Sequence, residues 1–148
     1  MSPENIHQNE RVMWPGKPIE DARYAMIMLH GRGASAEDIL QLAENLYHDD
    51  FAYVAPQAAG NTWYPYSFLE PIERNEPYLT SALQSVDEVM AYVVQKGIPK
   101  SRIMLLGFSQ GACLALEYAA RNPLRYGGII GFSGGLIGQD VADTDRYK

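Results

Sequence analysis

Residues 102–122, RIMLLGFSQGACLALEYAARN, decide the fold of this chain. They open on a continuous apolar run at residues 103–106, which is typical of a strand that is buried on both faces. Gly107, Ser109 and Gly111 follow at alternate positions, and after them come helix-forming residues without proline or a further glycine. The stretch therefore predicts a buried strand, a sharp turn that carries one serine, and a helix over residues 112–121.

The turn fits the pattern G-x-S-x-G, which is called a nucleophile elbow when it joins a strand to a helix. A reversal within about one residue forces Ser109 into a strained backbone conformation, and side chains at Gly107 or Gly111 would collide with the neighbouring elements. The reversal also exposes the serine hydroxyl and turns the backbone N–H of Gln110 toward an oxyanion. We therefore predict a nucleophile at Ser109 and an oxyanion-hole donor at Gln110. The alternative is a serine that only satisfies the N-terminus of the helix.

A second glycine-rich loop, His30-Gly31-Arg32-Gly33, directly follows the apolar run Tyr24–Leu29. Glycines let backbone N–H groups face a cavity without side-chain clashes, so we expect Gly31 and Gly33 to support the loop in this way. We predict that the N–H of Arg32 is the second oxyanion donor. The Arg32 side chain is open to two interpretations, binding of an anionic substrate group or solvation. A dinucleotide-binding loop is disfavoured because the third glycine of that pattern is not present.

Two side chains near these loops are interpreted as structural. A histidine at a strand end, such as His30, is more often a fixed residue than a general base, because a base needs demanding geometry. Cys113 lies one helical turn beyond Ser109 with no histidine placed to activate it, so we predict a buried structural thiol. Cys113 is also the single cysteine of the chain, which permits no internal disulfide. We therefore predict a reducing compartment, the cytoplasm.

Strands and helices alternate along the chain. The strands are predicted at residues 24–29, 51–55, 103–106 and 126–132, with a short strand or hairpin around residues 11–14. The helices are predicted at residues 36–47, 78–96 and 112–121, the first after a Ser35 capping box and the second before a terminal Gly97. This alternation predicts an α/β fold with a mostly parallel sheet and helices on both faces, in a single domain over residues 1–148.

Residues 57–76 form a long connection that is rich in glycine, proline and aromatic residues. Loops of this length in a compact domain are usually functional or disordered, and the aromatic content argues against disorder. We predict that Trp63 and Tyr64 wall an apolar substrate pocket. The alternative is that they only pack the loop against the surface.

The composition excludes several partners. The chain has 18 acidic and 12 basic residues, a formal net charge of −6, and no cluster of lysine and arginine. This balance argues against nucleic acid and anionic membranes as partners. No stretch reaches the ~18 consecutive apolar residues of a transmembrane helix, and the polar N-terminus is unlike a signal peptide.

Three segments, LHGRGAS, APQAAGNTWYP and LLGFSQGA, occur in this order along the chain. Together they resemble the phospholipase/carboxylesterase family of α/β-hydrolases, whose relatives include acyl-protein thioesterases. The resemblance extends from about Tyr24 to Gly135. It implies an α/β-hydrolase fold and hydrolysis of a small acyl ester or thioester, with Ser109 as nucleophile, N–H donors at Arg32 and Gln110, and a pocket near Trp63. It implies no metal or organic cofactor, and it leaves undecided whether the protein forms a homodimer.

The chain departs from the family pattern in its catalytic base. The triad of this fold runs in the order serine, acid, histidine. Four acidic residues follow Ser109 in the sequence: Glu117, Asp140, Asp143 and Asp145. The three histidines all precede it: His7, His30 and His48. Glu117 lies about two helical turns beyond the serine, where it is poorly placed to orient a base.

We therefore expect the C-terminal strands and helix, with the catalytic acid and histidine, to be missing from this chain. The favoured explanation is an enzyme nicked after Lys148, whose remainder docks as a separate chain, because the exposed DTDRYK segment is easily cleaved. Gene truncation and a partner subunit are the alternatives. We expect the 148-residue chain alone to be inactive. A non-catalytic binding protein, and a dienelactone hydrolase or peptidase on the same fold, are the alternative functions.

Overall fold

A computed structural model describes residues 5–140 and 145–147 of the chain. The described strands are β1 (Val12–Met13), β2 (Tyr24–Leu29), β3 (Phe51–Pro56), β4 (Ile103–Phe108) and β5 (Gly128–Phe132). The described α-helices are α1 (Ala36–Asn45), α2 (Tyr78–Gln95) and α3 (Gln110–Arg121). The strands form one sheet in the order β1-β3-β2-β4-β5, in which β1 is antiparallel to β3 and every other pair is parallel. The predicted α/β architecture is confirmed.

The apolar runs of β2 and β4 form the middle of the sheet. Ile27 and Leu105 are fully buried and paired with each other in register. The same register pairs Leu29, the last residue of β2, with Gly107 near the end of β4. Because both strands end at the same edge, the loop after Leu29 lies directly beside the turn that follows β4.

Helices cover the two faces of the sheet unequally. α2 and α3 pack together on one face, where the main core cluster lies, and α1 packs on the opposite face over β2 and β3. On the α1 face, the half of the sheet formed by β4 and β5 is less covered. Met104 and Ile130 are half-buried there, and Phe132 at the end of β5 is 45% exposed.

α1 begins as predicted but ends two residues early. The Ser35 hydroxyl accepts the N–H of Asp38 at 3.2 Å, and the Asp38 carboxylate accepts the N–H of Ser35 at 3.0 Å, which completes the capping box. The prediction placed the end near Tyr47. The hydroxyl of Tyr53, on β3, donates to the carbonyl of Leu46 at 3.0 Å and so satisfies it outside a helix.

The end of α2 follows the sequence signal. Gly97 has a φ of +111°, and its N–H donates to the carbonyl of Val94 at 3.0 Å. The N–H of Ile98 reaches back to Val93 at 3.3 Å. These bonds satisfy the last carbonyls of the helix, and the left-handed backbone is the reason for glycine at this position.

The last strand is shorter than predicted, and the strand before the elbow is longer. β5 begins at Gly128, and the Tyr126 hydroxyl before it donates to the carbonyl of Asn122 at 2.6 Å, which ties Tyr126 to the end of α3. β4 continues to Phe108, which pairs with Phe132. The connection over residues 57–76 contains two short 3-10 turns, Ala59–Asn61 and Ile72–Asn75. None of the described helices is long and apolar enough to cross a membrane.

Candidate active site

Ser109 occupies the single residue between the end of β4 and the start of α3. Its φ of +56° and ψ of −116° are the strained conformation that the turn pattern predicts. The N–H of Ser109 donates to the carbonyl of Phe132 at 2.8 Å, and its carbonyl accepts the N–H of Cys113 at 3.0 Å. The serine side chain is exposed and makes no capping bond to α3. The alternative of a serine that only satisfies the helix N-terminus is therefore not supported.

Gly107 and Gly111 permit contacts that no side chain would allow, and Gly31 permits a close one. A Cβ at Gly107 would overlap the backbone of Gly111 and Ala112, and a Cβ at Gly111 would overlap the carbonyl oxygen of Leu29. At Gly31, an added Cβ would lie 3.2 Å from the Phe108 carbonyl oxygen and 3.5 Å from the Ser109 Cβ. The loop after β2 and the turn after β4 are therefore packed backbone to backbone.

A cleft of about 270 Å³ opens beside Ser109. Arg32 and Gln110, the two predicted oxyanion donors, both lie on it. Within the described part of the chain, neither of their backbone N–H groups donates to an acceptor. The remaining lining residues are Tyr64, Ser67, Phe68, Cys113 and Ser133. The cleft thus joins an exposed hydroxyl, two available N–H donors and an aromatic wall.

The Arg32 side chain is exposed, and its guanidinium donates to the backbone of the 57–76 connection. Its Nη1 lies 3.0 Å from the carbonyl oxygen of Tyr64 and 2.8 Å from that of Pro65. Its Nη2 donates to the carbonyl of Tyr66 at 2.8 Å. The guanidinium therefore holds the backbone of the loop that carries Tyr64.

The two aromatic residues predicted to wall a pocket have different positions. Tyr64 lies on the cleft, and burial, with the neighbouring Cys113 thiol, raises the pKa of its hydroxyl. Trp63 does not line the cleft. It is fully buried in the core, where its Nε1–H donates to the His30 carbonyl at 2.9 Å and its ring stacks on His30 at 5.1 Å. The prediction of a pocket wall is corrected for Trp63 in favour of packing, because the indole fills the space beneath the loop.

Comparison with known proteins gives the family. The sequence profile of the phospholipase/carboxylesterase family matches residues 8–143, nearly the whole chain. The chain belongs to the phospholipase/carboxylesterase family. Its sheet and helices have the fold of the α/β-hydrolases, as expected from the sequence.

Relatives of this family member include fungal thioesterases. The chain is 33% identical over 131 residues to an acyl-protein thioesterase 1 of Eremothecium gossypii, covering 78% of this chain and 56% of that protein. It is 29% identical to the acyl-protein thioesterase 1 of Saccharomyces cerevisiae, with 78% and 60% covered. The chain thus spans little more than half the length of these curated relatives.

One solved structure is more similar to this chain than these two thioesterases are. The phospholipase/carboxylesterase of Dyadobacter fermentans is 50% identical and superposes with a TM-score of 0.91, which covers 95% of this chain and 66% of that one. Esterase PE8 is 27% identical with a TM-score of 0.67, covering 86% and 66% of the two chains.

His30 is a structural residue in this family member, as predicted. Its Nδ1–H donates to the Gly31 carbonyl at 2.8 Å, and its Nε2 accepts the N–H of Ala58 at 3.0 Å. The two bonds fix one neutral tautomer, and burial lowers the pKa of the ring. His30 therefore has no free nitrogen with which to take a proton from Ser109.

The other two histidines make hydrogen bonds away from the cleft. His7 is buried, donates from Nε2 to the Trp63 carbonyl at 2.8 Å and accepts the N–H of Ala59 at Nδ1 at 3.0 Å, and its burial lowers the pKa of the ring. His48 is exposed after α1, where its Nδ1 accepts the N–H of Asp50 at 3.1 Å. None of the three histidines lies on the cleft with Ser109.

Glu117 is fully buried on α3 and makes four contacts. Its carboxylate pairs with Arg121 at 2.7 Å and Arg146 at 3.1 Å, and it accepts the Ile137 N–H at 2.8 Å and the Tyr147 hydroxyl at 2.9 Å. Glu117 therefore fastens the segment after β5 to α3, and it does not orient a base. The acids Asp140 and Asp145 do not line the cleft, and Asp143 lies outside the described residues.

Cys113 is 3% exposed on the inner wall of the cleft, where its Sγ accepts the N–H of Gly135 at 3.5 Å. The predicted buried thiol is confirmed. Within residues 5–140 and 145–147, no three histidine, cysteine or acidic side chains lie close enough together to hold a metal ion.

Sequence reasoning missed the side chain of Gln110. It is 5% exposed, its Oε1 accepts the N–H of Trp63 at 2.7 Å, and its Nε2 donates to the carbonyl of Tyr64 at 2.8 Å. A polar residue in the first turn of an otherwise apolar helix was the available signal. The partner residues are far away in the sequence, so the signal did not say what Gln110 binds.

Proposed function

We propose that this chain carries the nucleophile half of a serine hydrolase that cleaves carboxylic esters or thioesters through an acyl-enzyme. The observation that carries the proposal is the shared cleft. It is lined by Ser109, whose side chain is exposed at a φ of +56°, and by Arg32 and Gln110, whose N–H groups are the proposed oxyanion donors. The thioester option is supported by the relatives named acyl-protein thioesterase 1.

The proposed reaction has two steps. Ser109 Oγ attacks the acyl carbonyl carbon while its proton passes to a histidine base, and the resulting oxyanion accepts hydrogen bonds from the Arg32 and Gln110 N–H groups. The C–O or C–S bond then breaks, and the base protonates the leaving alcohol or thiol. Water attacks the acyl-enzyme with help from the same base, which releases the acid and restores the serine.

The base is proposed to come from outside the described residues. His7 and His30 are buried with both ring nitrogens bonded, and His48 is exposed away from the cleft. We propose that a further segment supplies the acid and the histidine, either from the same gene product or as a separate chain. The less covered half of the α1 face supports such a segment, since Phe108 and Phe132 are 51% and 45% exposed there. The proposed compartment is the cytoplasm, in keeping with the single free thiol.

A fluorophosphonate probe tests the proposal. The probe is applied to the 148-residue chain and to a fusion in which the part of the Dyadobacter fermentans enzyme beyond the matched region follows Lys148. We expect labelling of Ser109 in the fusion and none in the chain alone, since loss of the base leaves only about 10³–10⁴-fold catalysis over water. Ser109→Ala is the control.

Turnover of a nitrophenyl ester and a thioester by the fusion then separates the substrate classes. Labelling of the isolated chain at Ser109 would overturn the account of the base. Labelling or turnover that survives in Ser109→Ala would overturn the assignment of the nucleophile.

A further inference from the structure

The side chains of the two proposed oxyanion donors bind the same short loop. Arg32 follows β2 and Gln110 opens α3, so they are far apart in the sequence and lie on different elements. Both side chains nevertheless donate to one atom, the carbonyl oxygen of Tyr64, at 3.0 Å from Arg32 Nη1 and 2.8 Å from Gln110 Nε2. A shared acceptor links the positions of the two residues.

The Thr62 hydroxyl completes this link. It lies 3.2 Å from Arg32 Nη1, 3.3 Å from Gln110 Oε1 and 3.0 Å from the Tyr64 carbonyl oxygen. We name Arg32, Thr62, Gln110 and the Tyr64 carbonyl the loop clamp. The Thr62 hydroxyl contacts both other side chains, and all three side chains lie within hydrogen-bond distance of the Tyr64 carbonyl oxygen, so a shift of one disturbs the others.

The loop that receives these bonds cannot move freely. Trp63, at its centre, is fully buried, donates its N–H to Gln110 and donates its indole N–H to the His30 carbonyl. The N–H of Gly33 donates to the carbonyl of Asn61 at 2.7 Å, so the loop after β2 is fastened to it at a further point. The loop clamp is therefore bonded to a loop that is itself packed into the core.

We propose that the side chains of Arg32, Thr62 and Gln110 are positioning residues that set the separation of the two oxyanion donors. This inference rests on the proposed function, since it concerns the same oxyanion hole. An oxyanion hole stabilises a transition state only when its donors are held at the positions the oxyanion will occupy. Here each donor N–H belongs to a residue whose own side chain is held by the clamp.

The test uses substitutions that remove clamp bonds and keep both backbone donors. Arg32→Lys keeps the charge and loses the planar fork. Thr62→Val removes the hydroxyl, and Gln110→Met keeps the length and loses the hydrogen bonds to Thr62, Trp63 and Tyr64. Arg74→Ala is the matched control. Arg74 lies on the same connection, with its guanidinium 4.8 Å above the Tyr66 ring, but it does not contact the clamp.

We expect each clamp substitution to lower kcat of the fusion by roughly 10–100-fold with a change in KM below about threefold, because loss of a whole donor costs about 10²–10³-fold. Arg74→Ala keeps the kcat of the unmodified fusion. A kcat of Arg32→Lys equal to that of the fusion would overturn the inference, because it would mean that charge alone suffices.

A second measurement needs no turnover. In the 148-residue chain, the amide NMR signal of Gln110 is expected to move in Arg32→Lys and in Thr62→Val, and to keep its position in Arg74→Ala. An unmoved Gln110 signal in both clamp variants overturns the inference. If all three clamp variants keep full kcat while Ser109→Ala is inactive, the inference is overturned and the proposed function stands. If Ser109→Ala is active, both are overturned.

Discussion

Gly111 marks the point where the first turn of α3 touches the end of β2. A Cβ at this position would overlap the backbone carbonyl oxygens of Leu29 and His30, neither of which can move without disturbing the sheet. Gly60 is a useful contrast, because it has a φ of +61° with open space around its α-carbon.

Substitution at these two glycines should therefore have unequal costs. We expect Gly111→Ala to lower the free energy of unfolding by about 4 kcal/mol or more, in the range that marks a severe core clash. Gly60→Ala should cost about 1–2 kcal/mol, the strain of a left-handed backbone. Urea unfolding measures both, and equal losses would contradict the close packing.

The buried histidines predict an acid-sensitive fold. Burial lowers the pKa of His7 and His30 below the ordinary value of 6.5. The unfolded chain therefore binds protons below about pH 6.5 that the folded chain does not, and stability falls as the pH drops from there toward the lowered values. Each histidine contributes a slope of up to about 1.4 kcal/mol per pH unit.

Urea unfolding between pH 7 and pH 5 measures this slope. His7→Gln should make it shallower, because it removes one of the two buried rings whose pKa is lowered. An equal slope in His7→Gln and the unmodified chain would show that the buried ring does not resist protonation.

At the scale of elements, Glu117 connects α3 to the segment after β5. Its buried carboxylate is paired with Arg121 and Arg146, and loss of one charge from a buried network is more costly than loss of an exposed pair. We expect Glu117→Gln to cost about 3 kcal/mol. It should also speed hydrogen exchange at the Ile137 amide.

The matched control is Glu70→Gln. Glu70 pairs with Arg74 at 3.7 Å, and the side chains are 39% and 55% exposed. Its loss should cost at most about 1 kcal/mol. Equal effects of the two substitutions would mean that Glu117 does not fasten the segment to α3.

Local sequence patterns predicted most of the elements. The Ser35 capping box, the terminal Gly97 and the glycines around Ser109 each depend on residues close in sequence, so spacing alone was sufficient. The end of α1 was wrong because the Tyr53 hydroxyl that satisfies the Leu46 carbonyl comes from a strand.

In the candidate site, too, features set by local sequence were predictable, and features set by distant residues were not. The position of Ser109 and the presence of a glycine loop beside it follow from motifs. The buried place of Trp63, the bonds of the Arg32 guanidinium and the contacts of the Gln110 side chain depend on residues about 30 or more positions away. Such tertiary contacts leave no periodic signal in a single sequence.

At the scale of the whole molecule, the uneven cover of the sheet should be visible in solution. Phe108 and Phe132 pair at the end of β4 and β5 and are both about half exposed. We expect the 148-residue chain to bind an apolar dye such as anilinonaphthalene sulfonate and to self-associate as its concentration rises.

Replacement of exposed apolar residues by serine tests where the dye binds. The double substitution Phe108→Ser and Phe132→Ser should reduce dye fluorescence and self-association. Leu69→Ser, at a residue that is 64% exposed in the 57–76 connection, should leave both unchanged. Dye binding that persists in the double variant would place the apolar surface elsewhere. Light scattering and fluorescence titration give the two readouts.

The two outer strands of the described sheet differ in how well each could pair with a further strand. β1 has two residues and runs against its neighbour, so it offers little template for another strand, whereas β5 has five residues in parallel register. β5 is therefore the side of the described sheet that offers the longer template for a further strand. Because the Phe132 carbonyl accepts the N–H of Ser109, recruitment at that side would be transmitted to the serine through a single hydrogen bond. One backbone hydrogen bond thus joins the outer strand of the described sheet to the proposed nucleophile.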